Sequence, residues 1–446
     1  MKKRMALFLS LMTALSIFVS PVKALETNDN KLHDNETTLI SKSNESTKLD
    51  SYAETNKLKI TSIVADSRVA ANDREVYAFT ITVNDASLIK GLKAEDFDIK
   101  GNISSSLVDM ETGQPWNVET NCYKDDGIEL SIKDNVITMK VKQFAYSNAW
   151  EVECKTIPEL TFTSKKVTQL NTDTLDNAII GKFTYAGITR DYALYLPDDV
   201  DGPVPLVIWN HGGGEYAIDI ETNLIKNRGL TAWPEAGYKT AVLMIQVSNQ
   251  NYSYGTAFSP EKQELIDRNN ALQAALVKNL IKKGVVDENR VYVTGASSGG
   301  GATMRFLMQY PELFAGAIVC CSMDPIVWVH FNKQDSYETI VSNFEKAFQD
   351  KVYTWDEEKG KMVEKKVDTQ VLTDVPIYFT HAQNDPTCNV NSSKAMYEAL
   401  ANLGDTNNQI VIWSDEDMAE DGISNSFPSK DYPALLHWSW VRVFNH

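Results

Sequence analysis

Hydrophobic positions along the 446 residues fall into two rhythms. Over residues 57–166 they form short runs, at 58–64, 76–83, 128–132, 136–141 and 160–162, alternating or clustered between Asn, Asp and Gly turns. Alternation puts every second side chain on one face, so several such runs without a long helix predict a β-sandwich domain. Beyond residue 166 the runs become continuous, at 204–209, 240–247, 291–294, 317–321, 375–380 and 409–413. Strands that are apolar on both faces belong to a parallel sheet covered by helices. The clearest helix is predicted over 260–283, with Leu265, Leu272, Leu276 and Leu280 as its buried stripe, Pro260 in the first turn and Gly284 at the C-terminal cap. A strand pair turning at Tyr185-Ala186-Gly187 precedes these elements, and residues 171–446 read as one α/β domain.

Residues 323–374 interrupt the alternation. They hold an amphipathic helix, with Tyr337, Ile340, Val341, Phe344 and Phe348 at helical spacing, and a hairpin over 352–367 turning near Lys359-Gly360. An insertion at the C-terminal edge of a parallel sheet lies where substrates bind, so it forms either a lid or a segment whose aromatic stripe only seats it on the domain.

The N-terminal end has a third character. Met1-Lys2-Lys3-Arg4 is basic, 6–19 is apolar and Val22-Lys23-Ala24 offers a cleavage site, so residues 1–24 read as a secretory signal peptide rather than a membrane anchor. Residues 25–56 are rich in Asn, Thr, Ser and charge, and read as a polar linker or disordered tail. Removing the leader takes the formal charge from −17 to about −21, a surface that repels nucleic acid and anionic membranes. Five cysteines in an exported chain permit disulfides: Cys122 with Cys154, and one pair among Cys320, Cys321 and Cys388. No C-x-x-C occurs, and neither 199–202 nor the acidic cluster of Asp415, Glu416, Asp417, Glu420 and Asp421 has the full spacing of a calcium loop, so no metal is expected.

The chemistry concentrates around Gly295-Ala296-Ser297-Ser298-Gly299, which lies between an apolar strand and a helix-compatible run. In G-x-S-x-G the strand-to-helix turn exposes the serine, and glycine flanks it because a side chain would strike the neighbouring backbone. A serine hydroxyl needs a base, usually a histidine oriented by a carboxylate. Of six histidines, His33 lies in the polar tail, His211 precedes a glycine run, His330 lies in the insertion, His381 ends a strand and His446 is terminal, which leaves His437. Asp385, just past the strand 375–380, satisfies the chain order Ser, acid, His, with Asp324 the weaker alternative. His211-Gly212-Gly213-Gly214-Glu215 follows another strand and suits an oxyanion hole, with the N–H of Gly213, or else Gly214, paired with that of Ser298.

These segments, with Tyr310-Pro311-Glu312-Leu313-Phe314 and His437-Trp438-Ser439-Trp440, resemble the polyhydroxybutyrate depolymerase and feruloyl esterase branch of the α/β-hydrolases. An N-terminal sandwich before such a domain is similar to secreted esterases that carry an immunoglobulin-like module. The resemblance implies a triad of Ser297, His437 and Asp385. Two departures touch pocket shape: Ser298-Gly299-Gly300-Gly301 follows the nucleophile, and Leu436 stands where glycine often precedes the histidine. The expectation is a secreted serine carboxylesterase needing no cofactor and acting on a small-molecule or polysaccharide-linked ester, without nucleic-acid partner or membrane anchor. It leaves room for an oligomer through the N-terminal domain. A serine peptidase of the same fold, or a non-catalytic surface or polysaccharide-binding protein, are the competing expectations.

Overall fold

The computed structural model describes residues 57–69, 74–101, 127–147, 149–215, 219–247, 260–323, 334–385 and 387–420. The segments expected to be leader and linker, and also Cys122, Asp324, His330 and His437, lie outside the described residues. The chain divides into two compact units. The first takes in the described residues of Met1–Ser67, Val76–Ile103 and Glu119–Asn171; the second takes in those of Arg68–Glu75 and Thr172–His446.

In the first unit, strands β1 (Ile60–Val69), β2 (Arg74–Val83), β3 (Phe97–Gly101), β4 (Glu129–Lys133), β5 (Val136–Ala145), β6 (Trp150–Cys154), β7 (Phe162–Thr163) and β8 (Gln169–Thr172) form two sheets, β4-β5-β2-β1-β8 and β3-β6-β7. Alternation works as expected: Ile63, Ala65, Ser67 and Val69 are buried on β1, and Trp150, Val152 and Cys154 on β6. Both sheets contribute to one core, centred on Phe79, whose ring lies 5.5 Å from Trp150 and 5.2 Å from Phe162. The Phe79–Phe162 pair is edge-to-face, an arrangement that adds about 0.5–1.5 kcal/mol beyond its burial. The Trp150 indole N–H is satisfied by the Tyr146 carbonyl at 3.0 Å.

The second unit is built on an eight-stranded sheet. Strands β9 (Ile179–Tyr185) and β10 (Ile188–Tyr195) form an antiparallel hairpin whose turn has φ 50° at Ala186 and 73° at Gly187. The other strands are β11 (Val204–Asn210), β12 (Ala241–Ile245), β13 (Val286–Ala296), β14 (Gly316–Cys320), β17 (Ile377–Ala382) and β18 (Gln409–Trp413), which set the order β18-β17-β14-β13-β11-β12-β10-β9. From β12 to β18 every pairing is parallel. Helices α1 (Pro260–Lys282) and α2 (Ser298–Gln309) pack on this sheet. Gly284, with φ 69°, ends α1 in the left-handed conformation that glycine adopts without strain.

Helix α1 is more deeply buried than its leucine stripe predicts. Leu272, Leu276 and Leu280 are inside, Leu265 is half-buried, and Asp267, Asn269, Asn270 and Gln273 are inside as well. Asp267 Oδ1 accepts from Arg305 Nε at 2.7 Å and from Gln309 Nε2 at 2.7 Å, and Gln309 Oε1 accepts from Asn270 at 2.7 Å. Gln273 donates to Asn210 Oδ1 at 3.0 Å, which ties the helix to the end of β11.

The described part of the insertion consists of α3 (Tyr337–Ala347) and the hairpin β15 (Lys351–Asp356) with β16 (Lys361–Lys366). Ile340, Val341, Phe344 and Phe348 are buried, and α3 packs against α4 (Val390–Asn402). The hairpin rests on α1 and α2, where the Arg268 guanidinium lies 5.1 Å over the Trp355 ring and Gln309 donates to the Tyr353 carbonyl. The aromatic stripe therefore seats this part of the insertion on the domain. Among the described residues no disulfide joins Cys320, Cys321 and Cys388, so the pair expected within this trio is not made, while Cys122, the expected partner of Cys154, lies outside the described residues.

Candidate functional site

Strand β13 ends at Ala296 and α2 begins at Ser298, so Ser297 is the whole connection. Its backbone has φ 59° and ψ −121°, a conformation that costs a non-glycine residue about 1–3 kcal/mol and persists only where neighbours enforce it. The neighbours here are backbone groups. Ser297 N–H donates to the Cys320 carbonyl at 3.1 Å, and its carbonyl accepts from Met323 N–H at 3.1 Å and from Gly301 N–H at 3.2 Å. Each adjoining glycine is required by a close approach. A Cβ on Gly295 would lie 2.6 Å from the Gly299 carbonyl oxygen, and one on Gly299 would lie 2.6 Å from that of His211. A Cβ on Gly300 would meet the Cys320 carbonyl, which explains why glycine extends past the motif.

Asn210 pairs with Gly295 across β11 and β13, and this register delivers the glycine turn to the serine. The position a Cβ on Gly212 would occupy is 3.7 Å from Ser297 Cβ. Gly213, Gly214 and Glu215 then make a single 3-10 turn. His211 is a strut rather than a base. Its Nε2 accepts from Val247 N–H at 3.1 Å, which leaves the proton on Nδ1, 3.0 Å from the Gly212 carbonyl. Burial pulls its pKa down to about 4, so the ring stays neutral.

Asp385 lies just past β17, with its side chain fully buried. Oδ1 accepts from Thr387 N–H at 2.8 Å and from Cys388 N–H at 2.9 Å, and Oδ2 lies 3.3 Å from His381 Nε2. His381 is held in turn by Ser393 Oγ at 2.8 Å and by the Cys388 carbonyl at 3.0 Å from Nε2. The same loop reaches the serine, for Cys388 Sγ is 3.9 Å from Ser297 Oγ. Three thiols crowd this corner: burial pushes Cys320 up to about 12 and Cys321 well above its usual value, so these two remain protonated.

The structure thus brings together Ser297, Ser298, the glycine turn and the Asp385 loop. Both described histidines are engaged through both ring nitrogens, and His437 lies outside the described residues. Sequence reasoning missed the clamp formed by His381 and the carboxylate of Glu215. The available signal was their position, each at or just beyond the C-terminal end of a parallel strand.

Comparison with known proteins fits this geometry. Residues 248–438 match the prolyl oligopeptidase family. Among solved structures, a thermostable esterase superposes with a TM-score of 0.56 at 20% identity, covering 86% of this chain and 96% of its own. Est1E from Butyrivibrio proteoclasticus gives 0.33 at 14% identity, over 53% of this chain and 88% of its own. A puromycin-hydrolyzing peptidase of Mycobacterium tuberculosis gives 0.38 at 13%, over 76% and 48%. No curated protein matches the chain. The C-terminal unit has the α/β-hydrolase fold, and with the family match this makes the chain a serine hydrolase.

Proposed function

We propose that the protein is a secreted serine carboxylesterase in which Ser297 is the nucleophile, His437 the general base and Asp385 the acid that orients it. Ser297 Oγ adds to the ester carbonyl carbon while His437 takes the hydroxyl proton. The tetrahedral oxyanion is held by the N–H of Ser298 and that of Gly213 or Gly214. Collapse expels the alcohol, which receives the proton from His437. Water, deprotonated by the same histidine, then releases the acid and restores Ser297. The observation that carries this reading is the strained Ser297 backbone, set between the glycine turn and the Asp385 loop. Strain enforced by surrounding backbone groups is characteristic of a site under functional constraint.

The first unit is, on this reading, an immunoglobulin-like module, and the leader directs export. Peptidase activity is the second reading, favoured by the match of 248–438 to the prolyl oligopeptidase family. Labelling with a fluorophosphonate probe tests the nucleophile: wild type is expected to label and Ser297→Ala not to. Unlabelled, folded wild type would leave only a non-catalytic binding role. Comparing acetyl, butyryl and feruloyl esters with aminoacyl anilides separates the two hydrolytic readings, with esters expected to be preferred.

A further inference from the structure

Glu215 is a carboxylic acid where the environment suits none. It is 3% exposed, and burying a carboxyl group is unfavourable unless its oxygens are engaged. Its Oε2 lies 2.6 Å from Gly212 N–H, and its own N–H donates to the Gly212 carbonyl at 3.2 Å. The turn is thereby closed twice, once through the main chain and once through the side chain. It is also packed on the nucleophile, since a Cβ on Gly212 would stand 3.3 Å from the Ala296 carbonyl and 3.7 Å from Ser297 Cβ. Burial pushes the Glu215 carboxyl up to about 7, offset in part by Asn227, the Gly212 N–H, the charge of Lys226 and the Trp209 indole. A carboxyl near half-ionisation puts less negative charge beside a developing oxyanion than an ordinary glutamate would.

We infer that Glu215 is a positioning residue for the oxyanion turn: by accepting the Gly212 N–H it takes that donor out of use, locks the turn against Ser297, and leaves the amide of Gly213 or Gly214 to meet the acyl oxygen beside that of Ser298. The inference rests on the hydrolytic reading of Ser297. It concerns hydrogen-bond acceptance rather than charge, so an amide can replace the acid.

Glu215→Gln keeps an acceptor, and Glu215→Met keeps the length and removes it. With p-nitrophenyl acetate and butyrate, Glu215→Met is expected to lower kcat by about 100-fold with KM changed less than about threefold, as for loss of an oxyanion donor. Glu215→Gln is expected to stay within about fivefold of wild-type kcat, the rescue that separates acceptance from packing. A Met variant with wild-type kcat overturns the inference. So does a Gln variant that melts no lower than wild type but loses about 100-fold in kcat, and that arm decides the matter if the Met variant does not fold. Wild type that neither labels with fluorophosphonate nor cleaves either ester removes the Ser297 reading and this inference with it, whereas active wild type with an unimpaired Met variant removes this inference alone.

Discussion

Adding one methyl group at Gly299 tests the architecture of the site more directly than removing a catalytic group. A Cβ there would lie 2.6 Å from the His211 carbonyl oxygen and closer still to that of Asn210, where ordinary carbon–oxygen contacts are no shorter than about 3.3 Å. Both obstacles are main-chain atoms at the end of β11, so no rotamer change relieves them. Either α2 or the segment carrying the glycine turn must move by about 1 Å, a misplacement that can cost 100-fold in rate. Overpacking of this kind destabilises by about 1–3 kcal/mol, and backbone on both sides puts Gly299→Ala near the upper end. Gly316→Ala is the matched control, because its Cβ would meet nothing nearer than the Pro376 carbonyl at 3.4 Å. Ester hydrolysis and thermal melts of the two variants give the comparison. Gly299→Ala is expected to lose about 100-fold in kcat and several degrees in Tm, with Gly316→Ala close to wild type. Equal behaviour of the two, or a Gly299→Ala enzyme within about threefold of wild type, would refute the reasoning.

Three further outcomes follow from the polar interior. The folded-state pKa of Glu215 is raised from 4.5 to about 7, so its stabilising protonation is complete below about 4.5 and lost as pH rises through 7. Glu215→Gln cannot ionise, so its Tm should gain on wild type across that window, by the equivalent of about 3 kcal/mol, and then level off; a constant gap would contradict this. Arg305 pairs with Asp267 at 2.6 Å with both side chains buried, and desolvation already raises Asp267 to about 6 against the lowering effect of Arg305. Arg305→Met should therefore cost about 3–5 kcal/mol at pH 8 and distinctly less at pH 5, where Asp267 is neutral, as read from denaturant unfolding at the two pH values; equal costs would show that the charge is not the reason. Asp385→Asn retains an oxygen for the Thr387 and Cys388 N–H groups, so it should melt close to wild type while kcat falls by about 10³–10⁴, and a variant with near-normal kcat would remove Asp385 from the mechanism.

What could be read along the chain was whatever depends on near neighbours. The continuous apolar runs that became β11, β12, β14 and β17, and the serine between β13 and α2, announce themselves because burial on both faces excludes polar residues. Strands β3 and β6 escaped notice although Phe97-Asp98-Ile99 and Trp150-Glu151-Val152-Glu153-Cys154 do alternate, since five residues with charged outer positions carry little signal. The interior of α1 was illegible for a different reason. Asp267, Asn270 and Gln273 look like the solvent face of an amphipathic helix, and only Arg305 and Gln309 on α2 and Asn210 on β11, far away in sequence, make their burial tolerable. His381 and Glu215 share this property: a side chain that orients another group leaves no periodic trace.

The elbow around Ser297 is fixed by main-chain atoms, through the carbonyls of Asn210, His211 and Cys320 against Gly295, Gly299 and Gly300. Peptide groups are common to every amino acid, so the geometry of attack is insulated from most side-chain changes nearby. A lineage, or a combinatorial library, can vary the residues that bound the acyl and alcohol pockets and sample new substrates while the reacting serine stays in register. Evolvability of this kind requires keeping three glycines and leaves the rest of the lining open to selection.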